Sequence, residues 1–410
     1  MQSEGLLTKR CVKMQDMKAR HIYRIYPTEE QAKQLARTFG CVRYVWNWAL
    51  NMRSVGFKDG EKIGYTQTSA RLTVLIKQPD TVWLNEVSSV PLQQVLRDLQ
   101  TAYKNFFEKR AGYPSFKRKG GAESAEYTLN GFNFDLATRT LKIAKIGEIK
   151  VKWSRPIVLE PSSLRILRDA AGRYFVSMVV EVTPQPMPTT GETVGIDFGL
   201  NRLATLSNGE RIANPKHAYQ YQKRMAFLQR RMARKTKGSK RRKHAAHRVA
   251  KLHAKITDTR KDAAHKFSTE MVKRFDTICI EDLNLRGMVK NHSLARSVSD
   301  AGIGMLTRLL QEKAERYGRT VIKVDRWFPS SKMCSECGHI NKAVVLGVKD
   351  WTCPKCGTHH DRDDNAAKNI KAAGLTVSAH GGTARPVKAS ALKGKSLRSA
   401  NQLSVKHESV

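Results

Sequence analysis

Four cysteines stand in two Cys-x-x-Cys pairs, Cys334/Cys337 and Cys353/Cys356, with fifteen residues between them. That is the spacing of a tetrahedral Zn²⁺ site, each pair presenting two sulfurs from a tight turn. Gly338 and Gly357 follow the second cysteine of each pair, where such a turn needs a positive φ. Two disulfides or a redox pair would compete, but nothing marks the chain as secreted and a redox site needs one pair. A closed Cys₄ set leaves no position for substrate, so this zinc would hold a fold together. Just beyond it, Asp361-Arg-Asp-Asp-Asn-Ala-Ala-Lys-Asn-Ile370 puts acids in a first helical turn, with Asp363, Ala367 and Ile370 on one face. Alone this is an acidic helix start, and it acquires chemistry only if other carboxylates meet it.

Two others have the right setting. Asp197 lies mid-strand in Val194-Gly-Ile-Asp-Phe-Gly-Leu, a costly place for a charge without a cation or partner. Glu281 ends the apolar run Phe275-Asp-Thr-Ile-Cys-Ile-Glu, which reads as a buried strand. Three carboxylates from distant stretches, each bordering a sheet element, suit two-metal phosphodiester cleavage, because Mg²⁺ prefers carboxylate oxygen and two ions need shared ligands.

The elements that must position these groups follow from periodicity and breakers. Residues 18–26 read as a strand, and Thr28 to Gln31 as a capping box opening a helix through about Met52. A helical region runs from Tyr65 to about Lys109 with breaks near Pro79 and Pro91. From Tyr113 to about Val182 short strands with basic turns suggest a small β-barrel or sandwich that begins with strand 18–26 and carries the helices as an insertion. Pro184–Gly191 is a proline-rich linker and a domain boundary. The strands around Asp197 end in the hairpin signal Asn208-Gly209, and residues 216–275 read as two long helices joined near Gly238-Ser239. A helix from about Ala301 to Tyr317 and a strand at Thr320–Val324 precede the zinc unit. The first 17 residues read as an unstructured extension, with Met14 and Met17 as alternative starts, and residues 375–410 as a disordered tail.

A chain of 410 residues with a formal charge of +38 implies a polyanionic partner. No apolar run approaches a transmembrane length and no signal peptide heads the chain, so the expected partner is nucleic acid and the compartment cytoplasmic. Cys11, Cys41 and Cys279 read as free thiols of a reducing cytosol. The basic run from Arg230 to Lys243, with Arg230, Arg231, Arg234, Lys235, Arg241 and Arg242, is nearly all of one sign and reads as a phosphate-backbone contact.

Gly195-Ile-Asp-Phe-Gly-Leu, Ile280-Glu-Asp-Leu and Asp361-Arg-Asp-Asp-Asn-Ala-Ala-Lys-Asn-Ile, with a Cys₄ ribbon before the third, resemble the three RuvC motifs of TnpB proteins. These are transposon-encoded, RNA-guided DNA endonucleases related to type V CRISPR effectors. Tyr65-Thr-Gln-Thr-Ser, Thr101-Ala-Tyr-Lys-Asn-Phe-Phe, Tyr113-Pro-Ser-Phe-Lys, Ser299-Asp-Ala-Gly and Phe328-Pro-Ser-Ser-Lys-Met-Cys extend the resemblance from about Lys18 to Gly374. It implies an α/β plus β-barrel chain. An RNase H-like RuvC domain (193–325 and 361–374) with an inserted zinc ribbon (326–360) follows a linker (186–192) and a wedge β-barrel (18–34 and 110–185), which carries a helical recognition insertion (35–109).

It also implies Asp197, Glu281 and Asp363 as Mg²⁺-binding catalytic acids, with Asp361 the weaker candidate for the third. Tyr65, Ser69, Gln93 and Asn130 fall where relatives contact a short DNA motif flanking the target. Ser89-Val90 departs from the Lys-Phe of some relatives there, and Ile303 replaces a frequent Trp. The expected partners are a guide RNA from the transposon end and double-stranded DNA, bound by one protein copy in a prokaryotic, nucleoid-associated particle. Guide RNA pairing reads the sequence and the protein holds the heteroduplex by its backbone. The alternative is a cleavage-inactive RNA-guided repressor, which usually lacks one of the acids. A transposase or integrase would favour a dedicated helix-turn-helix domain, for which the sequence gives no sign, and a plain zinc-ribbon RNA binder would not need Asp197 in its strand.

Overall fold

The computed structural model describes residues 17–157, 159–345 and 347–380. The terminal extension before Met17 and the tail beyond His380 lie outside the described residues. Two compact units share the chain. The first holds the residues up to Met187 together with Lys216–Lys266 and Glu315–Gly318, and the second holds Pro188–Pro215, Phe267–Ala314 and the chain from Arg319 onward.

The first unit begins with β1 (Met17–Tyr26) and the helices α1 (Glu29–Lys58), α2 (Tyr65–Leu75) and α3 (Ser89–Phe107), with a 3₁₀ stretch over Pro79–Glu86. Strands β2 (Glu123–Thr128), β3 (Phe132–Asp135), β4 (Thr140–Ile143), β5 (Gly147–Lys152), β6 (Ser163–Arg168) and β7 (Tyr174–Val182) complete a seven-stranded sheet in the order β2-β6-β7-β1-β5-β4-β3. Its edge strands β2 and β3 are joined by the single 3₁₀ turn Leu129–Gly131, which draws the edges together into a nearly closed, barrel-like sheet. The first strand thus becomes central, and the helices lie between β1 and β2 in the chain.

Thr28 and Gln31 form the predicted capping box, and Gln31 Nε2 also donates to the Glu148 carbonyl at 2.6 Å, tying the helix start to β5. The helix α1 runs to Lys58, past the expected end at Met52 and across the expected 34/35 domain boundary. The helical region breaks near Pro79 and again at Val87–Ser88, and Pro91 then sits in the first turn of α3, where a backbone N–H has no intrahelical partner to lose. Leu92, Val95, Leu96, Leu99 and Tyr103 form the buried stripe of α3, and burying each large aliphatic stabilises by about 1.5–3 kcal/mol.

The second unit carries β8 (Thr193–Phe198), β9 (Arg202–Leu206) and β10 (Arg211–Ala213), with the Asn208-Gly209 hairpin between the last two and Gly209 at φ +88°. After α4 (His217–Gln220), α5 (Gln222–Ala233) and α6 (Lys240–Arg274) come β11 (Thr277–Glu281), α7 (Leu285–Lys290), α8 (His292–Ala301), α9 (Ile303–Tyr317) and β12 (Thr320–Val324). The five-stranded sheet has the order β10-β9-β8-β11-β12, with antiparallel β10-β9-β8 and parallel β8-β11-β12. The two small strands β13 (Asp350–Thr352) and β14 (His359–Asp361) pair within the cysteine region, and α10 (Arg362–His380) closes the unit.

Three sequence expectations are revised. The helices α7 and α8, short and polar outside, were not anticipated. The helix α10 continues through residues 375–380, which were expected to begin the tail. Lys216–Lys266, expected within the nuclease segment, groups with the first unit, where Arg173 pairs with Asp258 at 2.5 Å and His247 lies against Gly172 in the β6–β7 turn.

Candidate active site

Parallel pairing fixes where the carboxylates arrive. Ile196 pairs with Ile280 across β8 and β11, so Asp197 and Glu281 are the next residues at the C-terminal ends of adjacent parallel strands. Both share a sheet face with Gly195 and Cys279, two positions earlier in each strand. That face is covered by α10. A Cβ at Gly195 would lie against the Ala367 carbonyl and 2.6 Å from the Lys371 nitrogen, and one at Gly374 would be 2.7 Å from Cys279 Cβ. Glycine is required at 195 because the helix backbone rests on the strand. Asp363 stands one turn before Ala367, so the same helix carries it toward the strand ends. Gly195→Ala is therefore expected to destabilise by about 1–3 kcal/mol, read as a lower melting temperature, whereas unchanged stability would contradict the seating of α10 on β8.

The electrostatics match this convergence. Burial, then the charges of Glu281 and Asp363, push the Asp197 carboxyl up to about 7 against the opposing charge of Arg362. Burial alone raises Glu281 to about 7. Neither side chain takes a hydrogen bond or ion pair among the described residues. Half-buried carboxylates that repel one another and have no cationic partner form a donor set suited to hard divalent cations.

Asp361 and Asp363, two residues apart, have different roles. Asp361 Oδ1 accepts from the backbone N–H groups of Asp363 (2.9 Å) and Asp364 (3.1 Å), capping α10, while Oδ2 meets Arg202 at 3.3 Å and Arg211 at 3.1 Å. Although burial acts to raise it, these bonds hold the Asp361 carboxyl below its ordinary value. Arg211 also clamps Asp364. Asp363 keeps only long contacts, 3.4 Å to Arg362 and 4.0 Å to Arg202. Asp363 is thus the available third carboxylate.

Sign follows for the metal-free protein. Unfolded Asp and Glu titrate near 4, so between about pH 4 and 7 the folded chain holds protons that the unfolded chain has lost. Stability falls as pH rises through that window, and the penalty is complete above it. With divalent cations chelated, Asp197→Asn is expected to raise the melting temperature by about 2–4 °C at pH 8, the gain fading toward pH 4. A destabilised Asn variant at pH 8 would contradict the electrostatic reading.

The four cysteines converge as predicted, with all Sγ atoms within 4.8 Å of one another and the pairs Cys334/Cys356 and Cys337/Cys353 at 3.6 Å. A tetrahedron with Zn–S of about 2.3 Å has edges of about 3.8 Å, whereas a disulfide needs about 2.05 Å. The donor set therefore fits zinc. The two knuckles repeat one geometry. Gly338 and Gly357 both have φ +71°, and their N–H groups each reach the first cysteine's carbonyl at 2.9 Å. Buried His360 places Nε2 3.1 Å from Cys334 Sγ, an outer hydrogen bond that sequence reasoning did not identify. Among the described residues the three carboxylates do not come within the same 4.8 Å of one another.

Two further residues escaped the sequence reading. Buried Asn365 and Asn369, at i and i+4 on α10, both donate to the Ser330 and Met333 carbonyls, and Asn365 Oδ1 accepts from Ser335 N–H at 2.9 Å. They latch the chain entering the first knuckle onto the helix that carries Asp363. Their i, i+4 spacing on the helix face near Ile370 was the available signal.

In the first unit Ser69 Oγ and Gln93 Oε1 meet at 3.0 Å, and Arg97 donates to the Tyr65 hydroxyl at 3.2 Å. Asn130 is exposed in the 3₁₀ turn whose Gly131 abuts Val90, one turn before Gln93. Of the basic residues, Arg231, Lys235 and Arg241 line a cleft of about 530 Å³ between α5 and α6, together with Lys240, His244 and Arg248. Arg230 and Arg234 are exposed outside it. Arg242 is instead committed to the turn, its Nη1 donating to the carbonyls of Met232 (3.1 Å) and Lys235 (3.0 Å).

Comparison with known proteins agrees with this arrangement. Family models described as "Probable transposase", "Cas12f1-like, TNB domain" and "Helix-turn-helix domain" match residues 177–292, 304–370 and 14–62. In the last span the described residues form one strand and one 30-residue helix, with no helix-turn-helix geometry. A solved structure titled as the Cas12f1-sgRNA-target DNA complex shares the fold at TM-score 0.57 and 13% identity, covering 87% of this chain and 99% of that one. Fold and cysteine cluster thus fit a TnpB/Cas12 fold.

A Streptomyces pristinaespiralis protein, described as a "Putative RNA-guided DNA endonuclease", is 48% identical over 93% of this chain and 96% of its own length. An Escherichia coli K12 relative of the same description, InsQ, is 32% identical over 88% and 93%. The chain belongs to the TnpB family.

Proposed function

We propose that this protein is an RNA-guided DNA endonuclease that cleaves at Asp197, Glu281 and Asp363. The observation that carries the reading is the arrival of these three carboxylates at one end of a parallel strand pair, two of them without protein partners. The mixed sheet with α10 on one face supports an RNase H-like RuvC domain, and the barrel-like sheet with α1–α3 supports a wedge and recognition module. The three acids would hold two Mg²⁺ ions, which when bound supply an activated water and charge stabilisation at the leaving 3′-oxygen. The chain itself supplies the fixed spacing of the acids, through strand register and the α10 seat, and keeps Asp361 from competing by spending it on the helix cap.

The Tyr65, Ser69, Gln93 and Asn130 cluster would read the flanking duplex motif, and the cleft at Arg231, Lys235 and Arg241 would hold nucleic-acid backbone. One structural Zn²⁺ would sit in the Cys₄ set. No helix among the described residues is long and apolar enough to cross a membrane. A cleavage-inactive repressor is not favoured, because all three acids are present in the sequence.

The test is to express the protein with its flanking locus, sequence the bound RNA, and incubate the particle with Mg²⁺ and a plasmid library bearing a guide-matched target beside randomised bases. Depletion of one consistent set of flanks supports the reading. Defined RNA without cutting would point to the repressor, and no defined RNA would end the guided reading.

A further inference from the structure

Trp327 is 77% exposed, the largest exposure of any tryptophan among the described residues. It leaves the sheet beside the carboxylates. Val324 pairs with Glu281, and the chain turns at once, with Phe328 N–H reaching the Asp325 carbonyl at 3.0 Å. Strand spacing and chain length put the Trp327 Cα no more than about 16 Å from that of Glu281.

This loop is braced on every side. Asp325 Oδ1 accepts from the Trp327 N–H at 2.8 Å, and Arg326 pairs at 2.5 Å with Asp282, the residue after Glu281, whose own N–H reaches the Val324 carbonyl at 3.0 Å. Phe328 packs on the core of Cys279, Val324 and Ile370, and the Ser330 and Met333 carbonyls are held by Asn365 and Asn369. An indole held out into water on a rigid loop, next to a predicted phosphodiester-cleaving site, has lost its burial energy without gaining flexibility. Stacking on a nucleobase would recover it, and every base offers a π-face.

We infer that Trp327 is a substrate-positioning residue that stacks on an unpaired nucleotide of the DNA strand entering the Asp197–Glu281–Asp363 site. The inference rests on the nuclease reading above and adds the contact that seats the strand. Its exposure leaves the fold independent of it.

The experiment uses the full guide-RNA particle with Mg²⁺ and a guide-matched DNA, comparing wild type, Trp327→Ala and Trp327→Phe in single-turnover cleavage across DNA concentrations. A second arm places 2-aminopurine in the DNA near the cut and reads its quenching in an Asp197→Ala background. Trp327→Ala should raise the half-saturating concentration of an unpaired DNA substrate about 10-fold with a smaller change in maximal rate, and lose quenching. Trp327→Phe should recover most of both, and melting temperatures should agree. Wild-type behaviour of Trp327→Ala, failure of Trp327→Phe to rescue, or quenching that persists in Trp327→Ala would overturn this inference while leaving the nuclease reading standing. A wild-type particle that binds guide RNA and cuts nothing would overturn both.

Discussion

Replacing Asp197 with alanine is expected to lower DNA cleavage by at least about 10³-fold while guide RNA and target binding change by no more than about 2-fold. The asymmetry follows from where each interaction sits. Asp197 lies at the end of β8 near Glu281 and Asp363, with the charge of Arg362 acting on it but no ion pair or hydrogen bond among the described residues, so its expected contribution is to whatever cations the cluster holds. Binding draws instead on a +38 chain whose basic residues gather elsewhere, as in the α5–α6 cleft. Asp361→Ala provides the contrast. It removes the α10 cap and the partner of Arg202 and Arg211, so the expected loss is about 1 kcal/mol of stability with partial cleavage retained. Single-turnover cleavage and gel-shift titration on both variants check the pair. Equal loss of cleavage in both would contradict the division between the two aspartates.

The second large effect concerns zinc. Cys353→Ser is expected to take bound zinc from one equivalent to none and to unfold the ribbon locally, because structural sites contribute about 10–16 kcal/mol in zinc-finger peptides and the ribbon's core is small. That core contains Cys334, Val344, Trp351 and Cys353. The damage should spread to catalysis, since the Asn365 and Asn369 latch joins the ribbon's entry to the helix carrying Asp363. Metal analysis, hydrogen exchange across residues 334–360 and cleavage assays read the three consequences. A zinc-free variant with full cleavage would show that the ribbon does not brace the site.

What the sequence could show depended on whether a residue's type announces its chemistry. Paired cysteines and a carboxylate inside an apolar strand are costly or rare enough to be read directly, and the four cysteines do converge. Contacts made by common residues with distant partners were not legible. Arg202 and Arg211 find Asp361 more than a hundred residues away, and two asparagines find carbonyls near the first knuckle. Arg242 looked like one more cation in a basic run, yet its guanidinium closes a turn. Pro91 marks a helix boundary because a proline is tolerated in a first turn and not beyond it, and α3 begins two residues before it. The end of α10 was placed too early because a composition of small residues beyond Gly374 says little about whether packing extends a helix.

The central claim is that RNA pairing chooses the cut and the carboxylate cluster makes it. The direct measurement is to replace the guide segment of the bound RNA with a new sequence, and map cleavage on a plasmid carrying the old and new targets beside the same flanking motif. Cutting should leave the old site and appear at the new one, and vanish from both with Asp197→Ala. Cutting that stays at the old site whatever the guide, or that survives loss of Asp197, would contradict it.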